Sequence, residues 1–156
     1  MEILQLAQVK QFIENTDLSA VLKRLVVIDG WKIKHAKAAI EQYKNYLFLK
    51  IKYRTNYSPQ QLPPSYEIDE VWHAHILHTQ QYTDFCHSVM GEYLHHHPHH
   101  GQDQEISQEI LEEMFAETQE LYEKEFGEPI KAIKWVPFGK RISKRKLESL
   151  LNPLPA

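Results

Sequence analysis

The chain has 156 residues, 42% hydrophobic and 25% charged, the profile of one globular domain with a buried core rather than of a disordered chain. No stretch approaches the ~20 uninterrupted apolar residues of a membrane span, and Met1 to Lys10 lack the basic and apolar regions of a secretion signal. Cys86 is the only cysteine, which excludes an intramolecular disulfide and makes cytoplasmic residence the expectation.

Apolar spacing predicts a first short helix over Ile3 to Glu14, carried by Leu6, Val9 and Ile13. Asp17 then suits the N-cap of a second helix, with Leu18, Val21, Leu22, Leu25 and Val26 as its stripe and Gly30 as its stop. A third helix runs from about Ile33 to Arg54, and Thr55 to Pro64 reads as a loop. Ser65 caps a long helix that continues through Val89 to Gly91. Pro98 keeps His95 to Gln102 from continuing it. Asp103 suits the cap of the last helix, whose stripe is Ile110, Leu111, Met114, Phe115, Leu121 and Tyr122 and whose stop is Gly127. Pro129, Pro137, Pro153 and Pro155 leave the tail mostly extended, with one turn of helix over Lys144 to Leu151. The expected architecture is an all-α, single-domain helical bundle over residues 1–136, followed by a basic C-terminal arm over 137–156.

The net charge of −3 hides an asymmetry. Asp103 to Glu128 holds ten acidic residues against Lys124 alone, whereas Lys131 to Lys146 holds seven basic residues and no acidic one. Such blocks pair with each other or with solvent, or the basic one docks on an acidic partner. Aromatic interleaving is limited to Trp135 and Phe138 and the whole chain is acidic, so nucleic acid is disfavoured.

Eight of the ten histidines fall in two clusters, Asp69-Glu-Val-Trp-His73-Ala-His75-Ile-Leu-His78 and His95-His-His-Pro-His-His100. Neutral imidazole is the commonest protein metal ligand, and carboxylate joins it for zinc, iron and manganese. At about 100° per residue, with Asp69 at zero, His73 falls near 40° and His75 near 240°. Asp69 and His73 therefore share a helix face and can hold one ion. His75 falls instead on a stripe with Ile68, Val71, Thr79, Tyr82 and Cys86. It is either a further ligand or a core histidine hydrogen-bonded to Tyr82 or to backbone. Trp72 reads as packing and Cys86 as a buried structural thiol. From the second cluster, one or two imidazoles turning back onto the helix would complete two histidines and a carboxylate, a set suited to zinc or non-haem iron. The alternative is a solvent-exposed tract that binds metal loosely.

The run from Asp69 to Cys86, with Gly91-Glu-Tyr-Leu-His-His-His-Pro98, resembles the glycine-rich-domain-containing-protein-like family, a helical module. That family's pattern is D-x-x-W-H-x-H-I-L-x-T-x-x-Y-x-x-x-C followed by G-x-x-L-H-H-x-P. It falls here on Asp69, Trp72, His73, His75, Thr79, Tyr82, Cys86, Gly91, Leu94, His95, His96 and Pro98. Looser likeness at Tyr43 to Leu49 and Leu121 to Gly127 extends it over roughly Leu18 to Trp135. The resemblance implies His95 and His96 as ligands ahead of His78, His97, His99 and His100. It supplies no reaction, and RNA binding suggested for relatives with extra domains does not carry over, since this chain has no glycine-rich segment.

The sequence therefore sets out a metal site of Asp69, His73, His95, His96 and His75, holding a divalent transition metal, zinc first, with iron or manganese as alternatives. Its function would be that of a metal-binding helical protein, with a metalloenzyme (hydrolase or non-haem iron oxidase) acting on a small molecule as the catalytic form of that reading and a protein partner as the other. The competing reading is a regulatory or protein-interaction module in which the histidine cluster is structural.

Overall fold

The computed structural model describes residues 4–97 and 107–133. The expected boundary near residue 136, the basic arm beyond Ile133, the proposed cap Asp103 and the imidazoles of His99 and His100 lie outside the described residues. Among the described residues six α-helices follow in order: α1 Leu6–Asn15, α2 Ser19–Lys23, α3 Ile33–Lys52, α4 Tyr66–Leu77, α5 Thr79–Met90 and α6 Gln108–Phe126. Among the described residues there is no strand, so the chain is an all-α bundle.

The 20-residue α3 is the central element and packs against α1, α2, α4 and α6. Ala36, Ala39, Tyr43, Tyr46, Leu47, Leu49 and Ile51 are buried on it, so both small and large side chains let neighbours close in. The second helix does not run evenly to Gly30. Its last turn, Arg24–Ile28, widens to i→i−5 hydrogen bonding, with the Asp29 amide donating to the Arg24 carbonyl at 3.1 Å. The Asp17 carboxylate accepts from the Ser19 amide at 2.9 Å, although Leu18 occupies the capping backbone position.

The expected long helix from Ser65 is two helices. Ser65 does cap α4, its hydroxyl accepting from the Ile68 amide at 3.2 Å. At His78 the backbone leaves the helical region, with φ −85 and ψ 70, and α5 starts at the next residue. His78 Nδ1 lies 2.8 Å from the Ala74 carbonyl, one of the acceptors that every helix end frees. The corner needs neither proline nor glycine, which is why periodicity reads straight through it. It folds α4 and α5 against each other, so that Ile68, Val71, His75, Tyr82, Cys86 and Val89 all reach one core. Gly91 ends α5 in the left-handed conformation, φ 75, where a side chain is strained.

Helix α6 is capped by Ser107, whose hydroxyl accepts from the Ile110 amide at 3.2 Å. Of its expected stripe only Tyr122 is buried, together with Thr118, and Ile110 is exposed. Polar links compensate. Asn45 donates to the Tyr122 hydroxyl at 3.0 Å, Thr118 donates to the Pro63 carbonyl at 2.9 Å, and Lys52 pairs with Glu125 at 2.8 Å. Beyond Gly127 the chain returns across the bundle and buries Ile130. Two glutamine side chains hold it there. Gln119 accepts from the Ile130 amide at 2.7 Å and donates to its carbonyl at 2.9 Å, while Gln42 makes the same pair with Lys131 at 2.7 and 3.1 Å.

This segment belongs to the folded body. Ile130→Ala is expected to lower the free energy of unfolding by about 2–5 kcal/mol. Gln119→Ala is expected to cost about 1–2 kcal/mol, since it leaves a backbone donor and acceptor unmatched. Urea denaturation checks both, and a Gln119→Ala variant as stable as the parent would mean that water replaces the clamp without loss.

Candidate metal centre

One aspartate and two imidazoles meet where α4 faces the segment after α5. The wheel placement of Asp69 and His73 holds: both project from one face of α4, with His73 Nε2 3.5 Å from Asp69 Oδ1. The third member is His96. Its Nε2 lies 2.6 Å from Asp69 Oδ1 and 2.9 Å from His73 Nε2. Asp69, His73 and His96 thus offer three ligand atoms within 4.8 Å of one another.

His96 is held from three directions. Its ring stacks on Trp72 with centroids 4.1 Å apart and planes 8° from parallel. Trp72 Nε1 donates to the Tyr82 hydroxyl at 2.9 Å, and that hydroxyl donates to the Leu94 carbonyl. Helices α4 and α5 therefore fix the backbone two residues before His96. The side chain of His96 is 8% exposed against 55% for His73, so the site has a buried wall and an open one. His96 Nδ1 is buried and has no hydrogen-bond partner among the described residues.

The other expected ligands are elsewhere. His75 is fully buried on the opposite side of α4, with Nδ1 2.7 Å from the Tyr43 hydroxyl and Nε2 without a partner among the described residues. It is a core histidine, but its hydrogen bond goes to Tyr43 rather than to Tyr82, whose ring it meets edge-on at 4.9 Å. Burial pushes its pKa down to about 4. His95 is exposed and packs against Tyr93 at 4.8 Å, pointing to the other side of the chain from His96. Residues 93–97 form neither helix nor strand, and there His95 lines the cavity beside Lys50 and Arg54 while His96 turns to Asp69. Neighbouring histidines there do not share a site easily. Cys86 is buried, and burial raises its thiol pKa. The roles of Tyr82 and Trp72 as a hydrogen-bonded relay had no signal in the sequence beyond their presence on neighbouring apolar positions.

The proton count of the cluster is informative. His96 Nε2 makes both of the short contacts, yet it carries at most one proton, and one N–H cannot be directed at Asp69 and His73 together. With that proton on Nδ1 instead, a lone pair would face a carboxylate oxygen at 2.6 Å. A cation in the middle satisfies all three atoms. Ligand edges of a tetrahedral zinc site are roughly 3.3 Å for bonds of about 2.0–2.1 Å; the 3.5 Å pair is already near that spacing, and an ion would part the 2.6 and 2.9 Å pairs by a few tenths of an ångström. Asp69 and His73 also line a groove of about 770 Å3, whose apolar wall includes Leu111, Phe115 and Ile130.

Fold and cluster together define an all-α protein with two histidines and an aspartate gathered at the junction of α4 and the segment after α5. By family it is UCP032817-like: that family model matches residues 8–120, most of the chain, and the chain belongs to it. The family is uncharacterised, and the match corrects the resemblance drawn from the motif, since no glycine-rich-domain family is indicated. No curated protein and no solved structure matches the chain. Among the described residues no helix is long and apolar enough to cross a membrane.

His75 makes stability depend on pH. Its pKa is about 4 folded against the ordinary 6.5, so between these values the unfolded chain binds more protons. Its contribution is complete above pH 6.5 and is lost as pH falls towards 4, an effect on the order of 3 kcal/mol. Urea midpoints at pH 7 and pH 4.5, taken in the presence of a chelator, should differ less in His75→Gln than in the parent. An unchanged difference would place the acid sensitivity on other groups.

Proposed function

We propose that this is a metal-binding protein in which Asp69, His73 and His96 hold one divalent transition ion, zinc first and iron or manganese as alternatives. The observation that carries the reading is the convergence of Asp69 Oδ1, His73 Nε2 and His96 Nε2 with contacts of 2.6, 2.9 and 3.5 Å and too few protons to bridge them. Two histidines and one carboxylate are the donor set of open zinc and non-haem iron sites. The exposure of His73 and the adjoining groove support an open site, hence hydrolytic or oxidative chemistry on a small molecule. A second reading has support of its own. The three side chains join α4 to the segment after α5, so an ion there would also pin the two together without catalysis.

Metal analysis of untagged protein, purified without a nickel column, tests the reading. One equivalent is expected in the parent, and well below one in Asp69→Ala, His73→Ala and His96→Ala. His95→Ala and a His99/His100 double alanine variant should retain it. Full occupancy in His96→Ala would remove the site from consideration. Cobalt substitution separates the two roles: azide shifts the visible spectrum of an open site and leaves a closed, purely structural one unchanged.

A further inference from the structure

On the far side of the 93–97 segment from the cluster lies a second cavity, of about 380 Å3. Lys50, Arg54, Tyr57 and Ser58 line it together with Tyr93 and His95. Lys50 is its unusual member. The side chain sits in the body of α3 and the residue is only 9% exposed. Its Nζ donates to the carbonyls of Pro59 and Gln61 at 3.2 and 3.0 Å, and no carboxylate pairs with it among the described residues. Carbonyls orient an ammonium without neutralising it, and a buried charge left unpaired is costly.

The loop that supplies those carbonyls ends at Leu62, which is buried and carries φ 60, a left-handed conformation that a leucine adopts only under strain. Leu62 is itself part of the cavity wall, and its carbonyl is held by the Tyr46 hydroxyl at 2.6 Å. Around Lys50, then, the fold keeps a strained loop, an uncompensated ammonium and an empty volume of the size small ligands occupy. The titratable or charged groups on the remaining wall are Arg54, Glu92, His95, His97 and the phenols of Tyr53, Tyr57 and Tyr93. At pH 7 two cations, Lys50 and Arg54, face one carboxylate.

We propose that this cavity binds a small aromatic molecule carrying a carboxylate or a phosphate, with the anionic group on Lys50 and Arg54 and the ring among Tyr57, Tyr93 and Met90. An anion there supplies the counter-charge that Lys50 lacks, and aromatic and thioether walls suit a flat apolar body. Burial lowers the Lys50 pKa to about 8, so the free protein loses this cation as pH rises through 8. The inference is independent of metal at Asp69, His73 and His96.

Benzoate and phenyl phosphate are the probes, with neutral benzyl alcohol as the comparison, titrated into the full chain and followed by amide NMR shifts. Saturable binding of at least one anion at millimolar concentration or below is expected, with shifts at Tyr93 and Leu94, and benzyl alcohol at least tenfold weaker. Which anion binds better identifies the headgroup. Arg54→Gln, an exposed position, should weaken binding several-fold, and Lys50→Met should abolish it in a protein whose melting is still cooperative. If Lys50→Met does not fold, the pH profile of the parent decides: benzoate stays ionised from pH 7 to 9.5, and its affinity should fall about thirtyfold over that range. No saturable binding of either anion, affinity unaltered in Arg54→Gln and across pH, or benzyl alcohol binding as well as benzoate would each overturn the proposal.

Discussion

The Trp72 indole donates to the Tyr82 hydroxyl, which in turn donates to the Leu94 carbonyl, and this relay sets the position of everything around the histidine cluster. It ties together α4, α5 and the segment that follows Gly91. Without it, the His96 ring has no fixed platform, because stacking on Trp72 requires both the indole orientation and the backbone path to be set. Both donors are buried, so leaving either unmatched would cost the desolvation of a polar group in the core. The relay therefore both stabilises the fold and aims one imidazole at a carboxylate.

The corner at His78 is the second condition. Had α4 and α5 been one straight helix, Trp72 and Tyr82 would stand about 15 Å apart along its axis at 1.5 Å per residue. The corner brings them within hydrogen-bond distance. Site geometry thus depends on a break that carries no glycine or proline and is held by an imidazole on the Ala74 carbonyl.

That dependence explains what could be read in the sequence and what could not. Helix periodicity located α1, α3 and α6 to within a few residues, and Ser65, Gly91 and Gly127 marked the start of α4 and the ends of α5 and α6 by side-chain capping or left-handed backbone, which are local effects. The shared face of Asp69 and His73, and the inward face of His75, also follow from local geometry on one helix. The choice of His96 over His95 depends instead on which side of the 93–97 segment meets α4, a tertiary fact. The same holds for Tyr43 against His75, 32 positions apart in sequence, and for Gln42 and Lys131, 89 apart. In the sequence His95 and His96 stood side by side as equal candidates, and only packing separates them.

The cluster and the Lys50 cavity lie back to back across residues 93–97, with His96 on one side and Tyr93, His95 and His97 on the other. The central claim is that Asp69, His73 and His96 form a single ion site. Anomalous diffraction from crystals grown with zinc tests it most directly. The account predicts one strong peak about 2.0–2.2 Å from Asp69 Oδ1, His73 Nε2 and His96 Nε2 together. A peak on His95, His99 or His100 with those three atoms still in contact with one another would contradict it.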